Sequence, residues 1–453
     1  GEGKDICNDC GTPTMLVLIP TNNVEGRGNY KRFTCPFCGS KHGLSLMGLR
    51  SATAISATSS QIFSSKFNDD KKLLVFSDNV QDAAHRAGFF NARTWKFGLR
   101  SAIQKFALEK GDGLPVDSFE NAFIAHWKGK YPIEDFLGFF TPPNMTWMRA
   151  FETLENERKI ANNAETKLFI ANVERRVKYE ILLEYGISSR IGRTLEKTGS
   201  SVISYESRLI RKVAEAVRDR SVNELGELKD KEIKIFEYMV IGTLNILKTK
   251  GAFNDYTYNI FTLNDGKTYL LSNDKNKWMP GTHSNRNIPS FPYKMNVDSR
   301  NIKGFDLISR DSIYSNWIED CINIDSPGFY REDIAWDLSK IIIEELVKRN
   351  FLTTMESKDN YTIYAIKKSS VVISTRVSQF TCDRCGTNLS VAKENVDFWI
   401  GAPCIRKNCG GNLYLSDTQS TEYYGKLYSQ GNMVRIVASE HTGLLNRENR
   451  EEL

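Results

Sequence analysis

Eight of the nine cysteines fall into two sets of four, and that arrangement limits the fold more tightly than anything else in the chain. Cys7 and Cys10 form a C-x-x-C pair, and Cys35 and Cys38 form another after 24 intervening residues. Cys382 and Cys385 make a third pair, followed by Cys404 and Cys409 at C-x4-C spacing. Zn2+ takes four thiolates at tetrahedral corners, and two tight turns brought together by a hairpin supply them. In "CNDCG", "CPFCG" and "CDRCG" a glycine follows the second cysteine directly, where a positive φ lets backbone N–H groups point at sulfur. The competing readings are disulfides or unrelated buried cysteines. No secretory signal opens the sequence, so a reducing compartment is expected and disulfides are disfavoured. The spacing therefore predicts two structural Zn2+ sites, each closed to water by four protein ligands. A catalytic zinc would need an open position and a nearby base, and neither set offers one. Cys321, in "WIEDCINI", has no partner in sequence and is expected in a core.

The 453 residues include 26% charged and 40% hydrophobic residues and carry a formal charge of +6. At about 100–200 residues per domain this length makes roughly two to four domains. The mild positive balance permits a polyanionic partner without requiring one. No apolar run reaches the roughly 20 residues of a membrane span, so no membrane partner and a cytoplasmic location are expected. The chain lacks an initiator Met and stops at "NRENREEL", inside a charged helical pattern; it reads as a piece of a longer protein.

Strand-like "MLVLIP" and "YKRFTC" accompany the first cysteine set, and "SATAISATSSQIFSSKF" follows as a small-residue amphipathic helix. Lys72–Phe76 then reads as a strand buried on both faces, with Ser77, Asp78 and Asn79 as caps for a long helix from Val80. From Gly111 to about Glu206 the apolar spacing is helical. Two later segments share a plan, a long helix running into "KTKGAF" or "KRNFL" and then strands, which is the outline of a winged helix. After the second cysteine set, Val434–Ala438 predicts another short buried strand, then a polar turn and a helix. The two strand–helix units can be neighbours in one parallel sheet if everything between them is an insertion.

"LLVFSDNVQDAAHRAGFF" resembles the first strand, loop and helix of the second RecA-like domain of large superfamily 2 DEAD/DEAH-box helicases, and "VASEHTGLLNRENREEL" resembles the next strand and loop. The likeness is nearest to oversized, zinc-containing helicases of bacterial anti-phage systems such as Druantia and DISARM. "SATAISATSSQIFSSKFNDDKKLLVFSD" and "RTLEKTGSSVISYE" share it, and the motifs cover about a quarter of the chain. The resemblance implies an α/β plus α+β fold: an incomplete parallel RecA-like sheet interrupted by a long, mainly helical insertion with winged-helix-like parts and two four-cysteine zinc modules. The expected segments are a zinc ribbon at 1–45, the first part of the RecA-like domain at 46–110, and a helical insertion at 111–205. A winged-helix-like part at 206–375, the second four-cysteine module at 376–428 and the return to the RecA-like domain at 429–453 complete the order.

Such enzymes hydrolyse ATP between two RecA-like domains, using a Walker A loop and a carboxylate that holds Mg2+. Neither motif is here; the G-K-T of "LNDGKTYLL" reads as a hairpin turn. ATP and Mg2+ are therefore expected only in a full-length parent, and this piece alone is expected to be inactive. By resemblance, Ser77, Asp78, Asn79 and Gln81, with Asp82, would contact a nucleic-acid backbone, as would Glu440, His441, Thr442 and Gly443; for Asp78 and Asn79, helix capping is the equal alternative. Implied partners are nucleic acid, DNA favoured, the rest of the helicase chain, and defence or repair proteins. Arg93, Lys96, Arg100 and Lys105, interleaved with Trp95 and Phe97, either form a stacking and phosphate-contacting surface or present a charged face to water. The rival to a motor fragment is a non-enzymatic zinc-ribbon and winged-helix docking module for nucleic acid or protein.

Overall fold

The computed structural model describes residues 58–59, 62–63, 68, 80–190, 192–226, 228–257, 278–279, 289–293, 305–322, 328–356, 362–407, 409–416, 423–430 and 435–436. The first cysteine set, the strand Lys72–Phe76, the G-K-T turn, and Glu440, His441, Thr442 and Gly443 lie outside them, as do Ser77, Asp78 and Asn79.

Helix α1 (Val80–Phe106) buries Trp95, Leu99, Ala102, Ile103 and Phe106, a stripe at helical spacing. It runs into a π-helical turn, Ala107–Gly111. Gly111 is required there, since a Cβ would sit 2.5 Å from the Phe119 ring. Helices α2 (Val116–Lys130) and α3 (Ile133–Phe140) close an aromatic core: Phe106 meets Phe119 and Phe123 edge-on, and Phe123 meets Phe140. Helices α4 (Arg149–Glu157) and α5 (Ala164–Tyr185) complete this helical body, and Asn163 caps α5 by accepting from the Thr166 N–H at 2.8 Å.

Lys96 and Arg100 of α1 differ from both expectations. Lys96 is ion-paired to Glu180, and Arg100 Nε lies 2.8 Å from Glu184 Oε1, both carboxylates being buried on α5. Arg176 completes the set at 2.8 Å from Glu180, and Trp95 is buried with its indole donating to the Phe140 carbonyl. The two buried acids engage all three bases, so Lys96 and Arg100 offer neither a solvated face nor a phosphate-contacting one. Burial alone would raise the Glu180 carboxyl, but Lys96 and Arg176 outweigh it and hold it down at about 2.

Strand β1 (Val202–Tyr205) pairs antiparallel with β7 (Val371–Ser374) and precedes α6 (Ser207–Leu225) and α7 (Ile233–Thr249). Short strands β2 (Phe253–Asn254), β3 (Phe291–Tyr293) and β4 (Phe305–Leu307) follow, then α8 (Ile313–Ile322), α9 (Gly328–Lys348) and the hairpin β5 (Leu352–Glu356) and β6 (Thr362–Lys367). These strands form one mixed sheet in the order β2-β6-β3-β4, with β5 also on β6. The β2–β6 pairing is parallel, so the two helix-then-strand segments share a sheet instead of standing apart. Between α6 and α9, Arg220 bridges Glu224, Glu344 and Glu345, which places part of the basic "SRLIRKVAEAVRDR" stretch in ion pairs. Cys321 is buried as expected. The fold is thus mixed α/β with several sheets, one of them carrying both parallel and antiparallel pairs.

The last described residues return to the start. Arg435 donates to the Gly138 and Thr141 carbonyls at the end of α3 and lies over the Phe151 ring. Thr94 Oγ1 of α1 lies 3.3 Å from the Ile436 carbonyl oxygen, with the Phe90 and Asn91 carbonyls of its own helix nearer at 3.0 and 3.2 Å. No described helix is long and apolar enough to cross a membrane.

Candidate metal centre

The second cysteine set is built on a three-stranded antiparallel sheet. Strand β8 (Val377–Cys382) pairs with β9 (Asn388–Ala392) on one side and with β10 (Leu413–Leu415) on the other. Cys382 ends β8, and the turn to β9 carries Cys385; the Gly386 N–H returns to the Cys382 carbonyl at 3.0 Å. Gly386 has φ of +66°, the left-handed conformation that the "CDRCG" pattern called for. Cys404 and Cys409 lie on the loop before β10, anchored by the Cys404 N–H donating to the Gly411 carbonyl at 2.8 Å.

The four sulfurs all lie within 4.8 Å of one another. Cys382 and Cys409 are 3.7 Å apart and Cys385 and Cys404 3.6 Å. A disulfide would need about 2.05 Å, whereas a tetrahedron with metal–sulfur bonds of about 2.3 Å has edges of about 3.8 Å. These cysteines are free thiols at metal-ligand spacing, and the set can hold a metal ion. Burial raises the Cys385 thiol, but hydrogen bonds from the Thr387 hydroxyl and N–H outweigh it and bring it to about 6. Burial pushes the Cys404 and Cys409 thiols up. Without a cation Cys404 and Cys409 keep their protons, so metal uptake must release them.

The sequence reading missed three contributors. Thr387 Oγ1 is 3.1 Å from Cys385 Sγ. Asp383 Oδ1 accepts the Asn412 N–H at 2.9 Å and so ties the two cysteine loops together. Gly411 lets them approach, since a Cβ would lie 2.8 Å from Cys382 Sγ and 2.5 Å from Asp383 Oδ1. The doubled glycine in "NCGGN" was the available signal for the last.

The module is joined to the body rather than tethered beside it. Asn395 accepts from the Tyr205 N–H at 2.9 Å and donates to the Tyr205 carbonyl at 2.8 Å, reproducing a strand partner for β1. Of the residues that the resemblance assigns to nucleic acid, Gln81 and Asp82 fall on a described element, the first turn of α1; the others lie outside the described residues. No protein-family model, curated protein or solved structure matches the chain.

Proposed function

We propose that the protein is part of an ATP-driven nucleic-acid motor of the helicase or translocase kind, with DNA the favoured track. Residues 80–430 then include a long insertion between two strands of a RecA-like sheet. The observation that carries this reading is the contact between Thr94 and the Ile436 carbonyl: the chain comes back to α1 after an excursion of more than three hundred residues. A second strand–helix unit continuing the first would have to return to this end of the molecule, and the contact with α1 supports that. The order α8, α9, β5, β6 matches the helix–helix–hairpin order of a winged helix, which supports a nucleic-acid-facing insertion. Cys382, Cys385, Cys404 and Cys409 hold a structural Zn2+, and the first cysteine set holds a second. Roles in phage defence or in DNA repair both fit, each with its own protein partners.

The test is ATP turnover by the product of the complete reading frame, with and without single- and double-stranded DNA. Stimulation by DNA supports the motor; a product that binds DNA but hydrolyses no ATP removes it. The second reading, a zinc-bearing docking module without enzymatic activity, draws on Ile400, Tyr414 and Leu415, large apolar residues exposed on the four-cysteine module. It predicts DNA or protein binding that is lost on replacing Tyr414 and Leu415, with ATP irrelevant.

A further inference from the structure

Where α1 gives way to its π-helical turn, a cleft of about 540 Å³ opens between that turn, the end of α2, and α10 (Tyr423–Gln430). This volume lies within the usual range of small-ligand sites, about 300–1,000 Å³. Single π turns inside helices recur at functional sites. Donors dominate the lining: the Lys105 and Lys130 ammonium groups and the Tyr131 and Ser429 hydroxyls, against one carboxylate, Glu109. Trp127 is only 1% exposed, and its Nε1 has no hydrogen-bond acceptor among the described residues.

The charges lean the same way. Glu109 lies 3.9 Å from Lys130 and 3.5 Å from His126, so one carboxylate is shared. Burial and then the Lys130 charge push the Lys105 ammonium below its ordinary range, the response of a cation held near another cation. Lys130 Nζ also lies 5.0 Å from the Trp127 ring centroid. On the rim, Tyr131 stacks on Trp127 at 5.9 Å with an interplanar angle of 5°, and Leu108 is exposed, which leaves an apolar and aromatic edge beside the cationic floor.

We infer that this cleft binds the phosphate group of a nucleotide, with the Lys105 and Lys130 ammonium groups as donors to its oxygens and the Tyr131–Leu108 rim beside its base. A phosphate has enough acceptor oxygens to satisfy several donors at once and a charge that Glu109 alone does not match. The assignment does not depend on the motor reading. The cleft lies at the other end of α1 from Gln81, a helix of 27 residues and so about 40 Å long.

Calorimetric titration of the chain with AMP, with adenosine as the control, tests this. AMP is expected to bind at least about tenfold tighter than adenosine, because charge-assisted hydrogen bonds go to the phosphate. Lys105→Gln with Lys130→Gln should remove about tenfold or more of the AMP affinity, and Glu109→Gln should raise it. Lys128→Gln, which alters a surface ion pair with Glu174 outside the cleft, should leave it unchanged. Both lysine replacements fall on partly exposed side chains, and Glu109→Gln supplies an opposite sign that misfolding cannot imitate. Equal AMP and adenosine binding, or equal weakening by the Lys128 variant, overturns the inference. A single-stranded oligodeoxynucleotide separates the sources of phosphate. If the double variant weakens it and AMP competes with it, the phosphate belongs to a nucleic-acid strand. If only AMP responds, the ligand is a free nucleotide.

Discussion

The helical body and the cysteine module bring distant chain segments together by opposite means. In the body, α1 and α5 meet through a wide aromatic and aliphatic core with an ion-pair set inside it, and every charge there has an opposite charge within reach. In the module, Phe380, Leu389, Val391, Phe398, Trp399 and Leu413 continue that core, while at its far end four sulfurs converge on a point where a metal ion can hold them. Short cysteine loops commonly draw their local order from the metal they bind. The body should therefore fail gradually as contacts are removed, and the module all at once.

Metal removal should have the largest effect. Structural zinc binding is worth about 10–16 kcal/mol in small zinc domains. Stripping the metal, or replacing Cys404 with Ser, should abolish amide protection of β8, β9 and β10 in hydrogen exchange while α1 and α5 stay protected. Joint loss of both regions would end the contrast.

Next comes Glu184→Ala, which leaves Arg100 buried without its carboxylate and the Leu195 N–H without its acceptor, otherwise 3.0 Å away. Breaking a buried pair by removing one partner costs about 3–5 kcal/mol, readable as a lower urea midpoint with metal content unchanged. Full metal loss in this variant would show that the two regions are not separable.

A smaller effect concerns pH, and two carboxylates pull it in opposite directions. Glu180, held at about 2, contributes stability that is present above its unfolded value near 4.5 and lost as pH falls toward 2. Glu120 is deeply buried with Asp255, and the single ammonium of Lys368 lies 2.7 Å from one and 2.6 Å from the other. Burial first, and then Asp255, push Glu120 up to about 8. Its folded state holds the proton more tightly, so its contribution is present below about 4.5 and is lost as pH rises toward 8. Glu120→Gln should flatten that upper limb in urea titrations and leave the acid limb intact. An unchanged upper limb would count against the assignment.

The smallest expected change is Thr94→Val: the hydroxyl it removes has the Phe90 and Asn91 carbonyls nearer than that of Ile436, so that losing the contact with the return segment costs no more than about 1 kcal/mol. Increased exchange confined to residues 435–436 would sharpen the picture of a lightly fastened return segment.

Some of this was legible beforehand. The second cysteine set, the positive φ at Gly386 and the burial of Cys321 follow from spacing and residue type, because short-range geometry dictates them. The helix-then-hairpin run from α9 through β6 was also visible in its periodicity. What periodicity could not convey was who faces whom. The alternation of Arg93, Lys96 and Arg100 with aromatics reads identically whether the far side is water, phosphate or Glu180 and Glu184, which lie about eighty residues on in a separate helix. The parallel contact of β2 with β6 is hidden for the same reason, since two residues of strand carry no pattern.

The pairing of β1 with β7 also governs the order of events during synthesis. Val202–Tyr205 leaves the ribosome with four buried-type residues, and its hydrogen-bonding partner is encoded roughly 170 residues later, about 10–30 s at ordinary elongation rates. Until Ser374 emerges, the nascent helices have an unsealed seam where that strand belongs. A ribosome-bound chaperone that covers apolar strands should therefore be recruited in that interval and released once Asn395 arrives to complete the other edge.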